Sequence, residues 1–319
     1  MSCWLSCSIF ILVGLLLFAI IAAIVFAYSW NRLKENFRRN FVVNTVDYCK
    51  NLDVQGYTSR IESPKTKGIY EYGLARALLE LSLAVSQSNC TNKVPIDSPY
   101  GFNGQYRIIA PHPHDNKKRM VATVFTDGSG SADVRKMVIV FTGTFFMNEW
   151  ATDLNFRLHN AVGINNYRAG VQVHSGFYKL YMSARDQLWT LYNSFKPAPR
   201  ELFITGHSLG GALATIGAYD FARKNPIYYS FASPRVGNPP FANTFNDLVP
   251  TALRIYNIDD TITQTPLPIT FGNVYQHVES GIAFDVNLGN ARANHIDAYL
   301  RYMPRCIPNI APCEHVDSN

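Results

Sequence analysis

The chemistry-bearing residues of this chain concentrate in one run, LFITGHSLGGALA, spanning Leu202–Ala214. Within it, Gly206-His207-Ser208-Leu209-Gly210 has the G-x-S-x-G spacing that holds a serine on a sharp strand-to-helix turn. Such a turn lifts Oγ clear of the backbone. It needs glycine on either side, where side chains would block the approach of strand and helix. The surroundings fit: an apolar β-type run precedes the turn and a helix-forming run follows it. Gly211, Ala212 and Ala214 keep the helix face small for close packing. The pattern alone arises by chance, and the alternative is a small-residue turn around a buried, hydrogen-bonded serine. In this context Ser208 is a candidate nucleophile.

A serine hydroxyl attacks well only when a base takes its proton and a third group orients the base. On sheets with this turn the order along the chain is Ser, Asp or Glu, His. Three histidines follow Ser208. His315 lies in the terminal tail. His277 sits in Val274–Val278, a predicted strand, where a structural role fits better. His295 opens a short helix (HIDAYLRYM) after the loop Leu288–Asn294, a junction that can deliver an imidazole to the sheet edge. Asp259 and Asp260 both stand immediately after a predicted strand, Ala252–Ile258, so either could supply the carboxylate.

The elements that must carry these groups can be read from periodicity. Tyr70–Ser86 has apolar residues at helical spacing. Ser88–Asn116, rich in Asn, Pro and Gly, reads as loop. Arg119–Phe125 and Lys136–Phe141 are β-type runs separated by the turn signal Asp127–Ser131, and they are expected to pair antiparallel. The glycines of that turn do not form a phosphate loop, because no Gly-Lys-[Ser/Thr] follows. Helices are expected within Asn148–Leu154, over Phe177–Phe195 and from Leu209 to Lys224. Further strands are expected at Leu202–Thr205, Ile227–Ala232 and Ala252–Ile258. Strands alternating with helices argue for a mostly parallel sheet covered on both faces.

Length and composition agree with one large folded domain. The chain has 319 residues, 47% hydrophobic and 16% charged, with a formal charge of +6. No dense Lys/Arg block with interleaved aromatics is present, which argues against nucleic-acid binding. Trp4–Tyr28 carries no charge and is long enough to cross a hydrocarbon core, which takes about 20 residues. A cleaved signal peptide is the alternative, but the run lacks a basic n-region and exceeds the usual h-region. The expected organisation is a transmembrane anchor and juxtamembrane segment over residues 1–40 and a catalytic domain over 41–319. Cys49, Cys90, Cys306 and Cys313 lie in the folded part, and their even number and terminal clustering point to two bridges. No cysteine pair has zinc-ligand spacing. Arg32, Lys34, Arg38 and Arg39 follow the apolar run and favour a cytoplasmic domain, whereas the cysteines favour an oxidising compartment. The lumenal or extracellular side is the expectation adopted.

The elbow GHSLGGALA and the later FASPRVGNPPF resemble the class 3 lipases, the family of the fungal triacylglycerol lipases. Further matches run in the same order: Phe141-Thr142-Gly143-Thr144, Glu149–Phe156 (EWATDLNF), Val173–Phe177 (VHSGF) and Arg254–Asp260 (RIYNIDD). Thr142 and Thr263 depart from the family's usual Arg and Pro. The resemblance implies an α/β-hydrolase fold with a central, mostly parallel sheet flanked by helices. It implies a triad of Ser208, Asp260 and His295, and an oxyanion hole from Thr144 and the Leu209 N–H. It also implies a Cys90–Cys306 disulfide, leaving Cys49 and Cys313 for a second. The family's acid stands three positions after the Asn or His that ends its strand, and counting from Asn257 gives Asp260.

The reaction so implied is hydrolysis of acylglycerol esters through an acyl-enzyme, with no metal or organic cofactor. The substrate would be met at a membrane or lipid-droplet surface. Phe145, Phe146, Met147 and Trp150 alternate with polar residues and could form a lid that turns an apolar face to lipid. The competing reading for that segment is a helix packed permanently on the core. For the whole chain, the alternatives are a phospholipase or carboxylesterase with the same triad, or an inactive membrane-anchored lipid-binding scaffold.

Overall fold

The computed structural model describes residues 61, 70–91, 102–113, 115–143, 156–278 and 281–305. All of them belong to one compact unit formed by Val43–Phe145 and Asn155–Asn319. In chain order the elements are α1 (Tyr72–Thr91), β1 (Gly104–Pro111), β2 (Lys118–Thr126), β3 (Lys136–Phe141), β4 (Leu158–Asn160), β5 (Gln172–His174), α2 (Ser175–Ser194), β6 (Glu201–His207) and α3 (Leu209–Asp220). They continue with β7 (Ile227–Phe231), α4 (Pro239–Leu248), β8 (Ala252–Asn257), β9 (Ile269–Thr270), β10 (Asn273–Val274), β11 (Gly281–Phe284) and α5 (Ala298–Tyr302).

Seven strands form the central sheet in the order β1-β2-β3-β6-β7-β8-β11. The first three pair antiparallel, and from β3 onward every pairing is parallel. The architecture is thus an α/β-hydrolase-like fold with a mostly parallel sheet flanked by helices. β6 is buried from Leu202 to His207, as expected for a central strand covered on both faces. Alternation assigns the faces. Val138, Val140, Phe203, Tyr229, Phe231 and Ile255 share one hydrophobic cluster with Leu74, Leu78 and Leu81 of α1 and Tyr299 of α5. On the opposite face Tyr228 of β7 hydrogen-bonds Thr215 of α3 at 2.7 Å. Because β3, β6, β7 and β8 run parallel, their C-terminal ends gather on one edge, the usual place for a ligand site in such sheets.

Two sequence expectations are corrected. The stretch Ser88–Asn116 is not simply loop: α1 continues to Thr91, and β1 occupies Gly104–Pro111. β1 is an edge strand with a register shift between Ile108 and Ile109, and the apolar residues Ile109 and Pro111 on its exposed side mask its alternation in the sequence. The strand expected at Val274–Val278 shrinks to Asn273–Val274 in a two-stranded hairpin. Among the described residues no helix is long and apolar enough to cross a membrane. The anchor segment Trp4–Tyr28, the helix within Asn148–Leu154, Thr144, the lid residues Phe145, Phe146, Met147 and Trp150, and Cys49, Cys306 and Cys313 lie outside the described residues. Cys90 falls in the last turn of α1.

Candidate active site

Ser208 stands between β6 and α3 with φ 60° and ψ −126°, a conformation that L residues rarely adopt. Holding a non-glycine residue there costs on the order of 1–3 kcal/mol, and such strain persists only where the surroundings enforce it. The enforcement is visible in the two flanking glycines. A Cβ on Gly206 would lie 2.3 Å from the Gly210 carbonyl group, and one on Gly210 would lie 2.3 Å from the Phe141 carbonyl oxygen. The Ser208 N–H donates to the Phe231 carbonyl at 2.9 Å, which fixes the turn against β7. Ser208 is 6% exposed. Leu209 opens α3, and a first-turn N–H has no partner within its own helix.

The candidate acid and base come from the turn after β8, two strands along the sheet from β6, and from the chain's C-terminal part. β8 ends at Asn257, Ile258 and Asp259 form a turn, and Asp260 follows. The Asp260 carboxylate is buried and fully engaged. Its Oδ2 accepts from His295 Nδ1 at 2.8 Å and from the Tyr299 hydroxyl at 2.9 Å, while Oδ1 accepts from the Ile262 N–H at 3.0 Å. Asp259, by contrast, is partly exposed, and its carbonyl accepts from the Asn294 amide at 3.2 Å. His295 is 3% exposed, and its Nε2 is buried without a hydrogen-bond partner. No Ser208–His295 hydrogen bond is therefore closed in this structure.

Several residues that sequence reasoning did not single out hold this arrangement. His207, the variable position of the G-x-S-x-G pattern, places its Nε2 2.8 Å from the His295 carbonyl oxygen. It thereby ties the residue before Ser208 to the backbone of His295. Burial, followed by the neighbouring His295, pushes the His207 pKa well below the usual histidine value, so the neutral ring donates from Nε2. Tyr299 donates to Asp260 and accepts from the Asn257 N–H at 2.9 Å. Burial and then the Asp260 charge push its hydroxyl pKa well up, so it stays a donor. The Asn257 amide spans Val286 and Asn294, locking the loops on either side. His295 itself lies in a π-helical turn, Ala293–Asp297, rather than at the start of an ordinary helix. None of these links has a sequence signature, because each depends on tertiary placement.

The remaining expected residues separate clearly. His277 places Nε2 2.7 Å from the Thr263 carbonyl oxygen and braces the loop after Asp260. Its pKa is pushed down to about 3 by burial, Arg254 and Arg235. Thr263, where the resembling family usually has Pro, donates through both N–H and hydroxyl to the Asp260 carbonyl. At the end of β3, the Gly143 N–H donates to Ser86 Oγ of α1 at 2.9 Å, which fixes the backbone leading toward Thr144. Among the described residues no three His, Cys, Asp or Glu side chains gather as a metal site requires.

Comparison with known proteins gives a consistent answer. Residues 138–270 match the family model described as Lipase (class 3). The chain is 36% identical over 151 residues to a chloroplastic phospholipase A(1) of Arabidopsis thaliana, covering 41% of this chain and 34% of that protein. It is 33% identical over 148 residues to a secreted mono- and diacylglycerol lipase of Fusarium solani, covering 45% and 42% respectively. The matches thus span between a third and about two fifths of the length of these relatives. The mono- and diacylglycerol lipase of Aspergillus oryzae superposes with a TM-score of 0.52 at 20% identity, over 72% of this chain and 85% of that one. At that identity the likeness speaks for the fold.

Proposed function

We propose that this chain, whose residues 138–270 match the class 3 lipase family model, hydrolyses carboxylic esters of lipids with Ser208 as nucleophile, His295 as base and Asp260 as orienting acid. The observation that carries this reading is the buried Asp260–His295 pair at 2.8 Å, on the sheet edge where the strained Ser208 stands. In the proposed reaction His295 Nε2 takes the Ser208 proton as Oγ bonds to the ester carbonyl carbon. Asp260 holds Nδ1–H and stabilises the imidazolium that forms. The tetrahedral oxyanion is received by the Leu209 N–H and by Thr144, and losing one such donor typically costs about 3–4 kcal/mol. Collapse expels the alcohol, which takes the proton from His295. A water molecule, deprotonated by the same histidine, then releases the fatty acid and restores Ser208. His207 and Tyr299 act as positioning residues, the first on the His295 backbone and the second on the Asp260 carboxylate.

Acylglycerols are the proposed substrate class, with phospholipids as the second reading because relatives of both descriptions match. An N-terminal anchor over Trp4–Tyr28, a lumenal or extracellular catalytic domain, a lid at Phe145–Trp150 and the Cys90–Cys306 and Cys49–Cys313 bridges complete the proposal. They are carried by the sequence patterns and the family resemblance. A panel of acylglycerol, phospholipid and short-chain esters, assayed with the full chain and with Ser208→Ala, tests it. Release of fatty acid that disappears in Ser208→Ala is expected. No release from any ester, or release that survives the substitution, contradicts the proposal.

A further inference from the structure

The loop that follows the candidate acid has a composition and shape that the hydrolytic reaction does not use. From Thr261 to Gln276 the chain contains no Asp, Glu, Lys or Arg. Within it, Leu267, Ile269, Phe271 and Val274 are 63%, 72%, 58% and 48% exposed. Scattered exposed apolar residues are ordinary, but four large ones fall within eight positions of one hairpin, with Ile269 and Val274 directly opposite each other, a clustering that marks candidate interaction surfaces. β9 and β10 pair through Thr270 and Asn273, leaving Phe271-Gly272 as a two-residue turn with φ 48° and 77°. Positive φ at both positions strongly favours Asn-Gly or Gly-Gly. A bulky aromatic at the first position breaks that rule, and such local violations concentrate at functional sites.

The hairpin is held firmly at its base. The Arg235 guanidinium donates to the Gln264 and Pro266 carbonyls, and the Tyr275 N–H donates to the Pro268 carbonyl at 2.8 Å. The side-chain donors of Thr270 and Asn273 find partners. The Thr270 hydroxyl donates to the Leu267 carbonyl at 3.0 Å, and the Asn273 amide donates to the Phe156 carbonyl at 3.1 Å. Phe271 stacks on Phe156 with ring centroids 6.4 Å apart. A tip with no charged side chain can press its apolar side chains against acyl chains at little desolvation cost, provided its outward backbone groups stay at the hydrated boundary. A protein partner would more often meet a surface with charged side chains at its rim, and this segment has none to offer.

We propose that the β9–β10 hairpin is a fixed apolar prow that presses its side chains into the outer acyl region of a lipid surface, its backbone staying at the hydrated boundary, and seats the sheet edge bearing Asp260 on that surface. This rests on the hydrolase reading for its purpose, but not for its occurrence. The test uses the full chain with phosphatidylcholine vesicles. In Ile269→Trp, the fluorescence added by the new indole should be quenched by lipids brominated on the acyl chain. In the double variant Leu267→Ser, Ile269→Ser, the ratio of turnover on vesicle-borne ester to turnover on dissolved short-chain ester should fall at least about tenfold, since two apolar contacts are lost. Both substituted positions are highly exposed, so folding is not at stake. An indole that brominated lipid does not quench, or an unchanged turnover ratio, overturns the proposal. A change in oligomeric state in place of lost lipid contact would assign the hairpin to a second copy of the chain and equally overturn it. If the parent chain cleaves neither ester, the hydrolase reading fails, and quenching alone still decides the hairpin.

Discussion

Replacing Asp260 with Asn should nearly abolish ester turnover, and the hydrogen bonds around that side chain explain why no compromise geometry is open to it. The carboxylate accepts from three donors: His295 Nδ1 and the Tyr299 hydroxyl on Oδ2, and the Ile262 N–H on Oδ1. An amide has one acceptor oxygen and one NH2 group. With its oxygen toward His295, the NH2 faces the Ile262 N–H, two donors in a site from which water is excluded. That mismatch costs about 1–3 kcal/mol. With the amide flipped, the NH2 faces Nδ1 and forces the proton onto Nε2, so the imidazole can no longer accept from Ser208. The second arrangement satisfies the backbone donor and should prevail. The expected loss in kcat approaches about 10⁴, the size seen when a triad aspartate elsewhere is replaced and the tautomer is wrong. Asp259→Asn should retain most of the activity, since that side chain is partly exposed in a turn. Steady-state kinetics on a soluble ester, with thermal melts to check folding, make the comparison. If Asp260→Asn keeps kcat within tenfold of the parent, or if Asp259→Asn loses more, the tautomer argument is refuted.

Other perturbations follow from the same geometry. Ser208→Gly should abolish turnover yet stabilise the fold by about 1–2 kcal/mol, because glycine tolerates φ 60° and relieves the strain, and a chemical-denaturation midpoint that does not rise would contradict this. Tyr299→Phe removes one donor from the buried carboxylate and orphans the Asn257 N–H, so stability should fall by about 2–4 kcal/mol and kcat far less than in Asp260→Asn; melting curves and kinetics check both. His174, whose Nδ1 accepts from the first N–H groups of α2, has its pKa pushed down to about 4 by burial. Its folded value lies below the unfolded value of about 6.5, so the unfolded chain binds more protons in that interval. Stability is full above pH 6.5 and should fall as pH drops toward 4, by about 3 kcal/mol from this group alone. His277 acts in the same direction. His174→Asn, which keeps an N-cap acceptor, should flatten the pH dependence of the melting temperature; an unchanged slope would count against it.

How much could be read in the sequence depended on whether the signal was local. The Ser208 turn is legible because its glycines answer a backbone requirement, and the 2.3 Å clearances at Gly206 and Gly210 show that requirement directly. The inner strands β3, β6, β7 and β8 are legible as apolar runs because both of their faces are covered. β1 is hidden because an edge strand with exposed Gln105 and Arg107 looks like the polar loop around it. β11 is hidden because four residues beginning with a glycine give too short a period to count. Spacing alone leaves Asp259 and Asp260 equivalent, and they part only where the chain after β8 turns and buries one of them. Tyr299, His207 and Asn257 contribute through contacts with residues up to 88 positions away, and a one-dimensional pattern does not contain such contacts.

If Ser208 is an activated nucleophile, it should be open to covalent labelling. A fluorophosphonate bonds to a serine oxygen only when a neighbouring base raises its reactivity and an oxyanion site receives the phosphoryl oxygen. The measurement is peptide mapping of the full chain after brief exposure to the probe, beside His295→Ala treated identically. A single modified peptide carrying the adduct on Ser208 is expected, with labelling reduced by several orders of magnitude in His295→Ala. An unmodified Ser208 in folded protein, or equal labelling of both proteins, would contradict that reading.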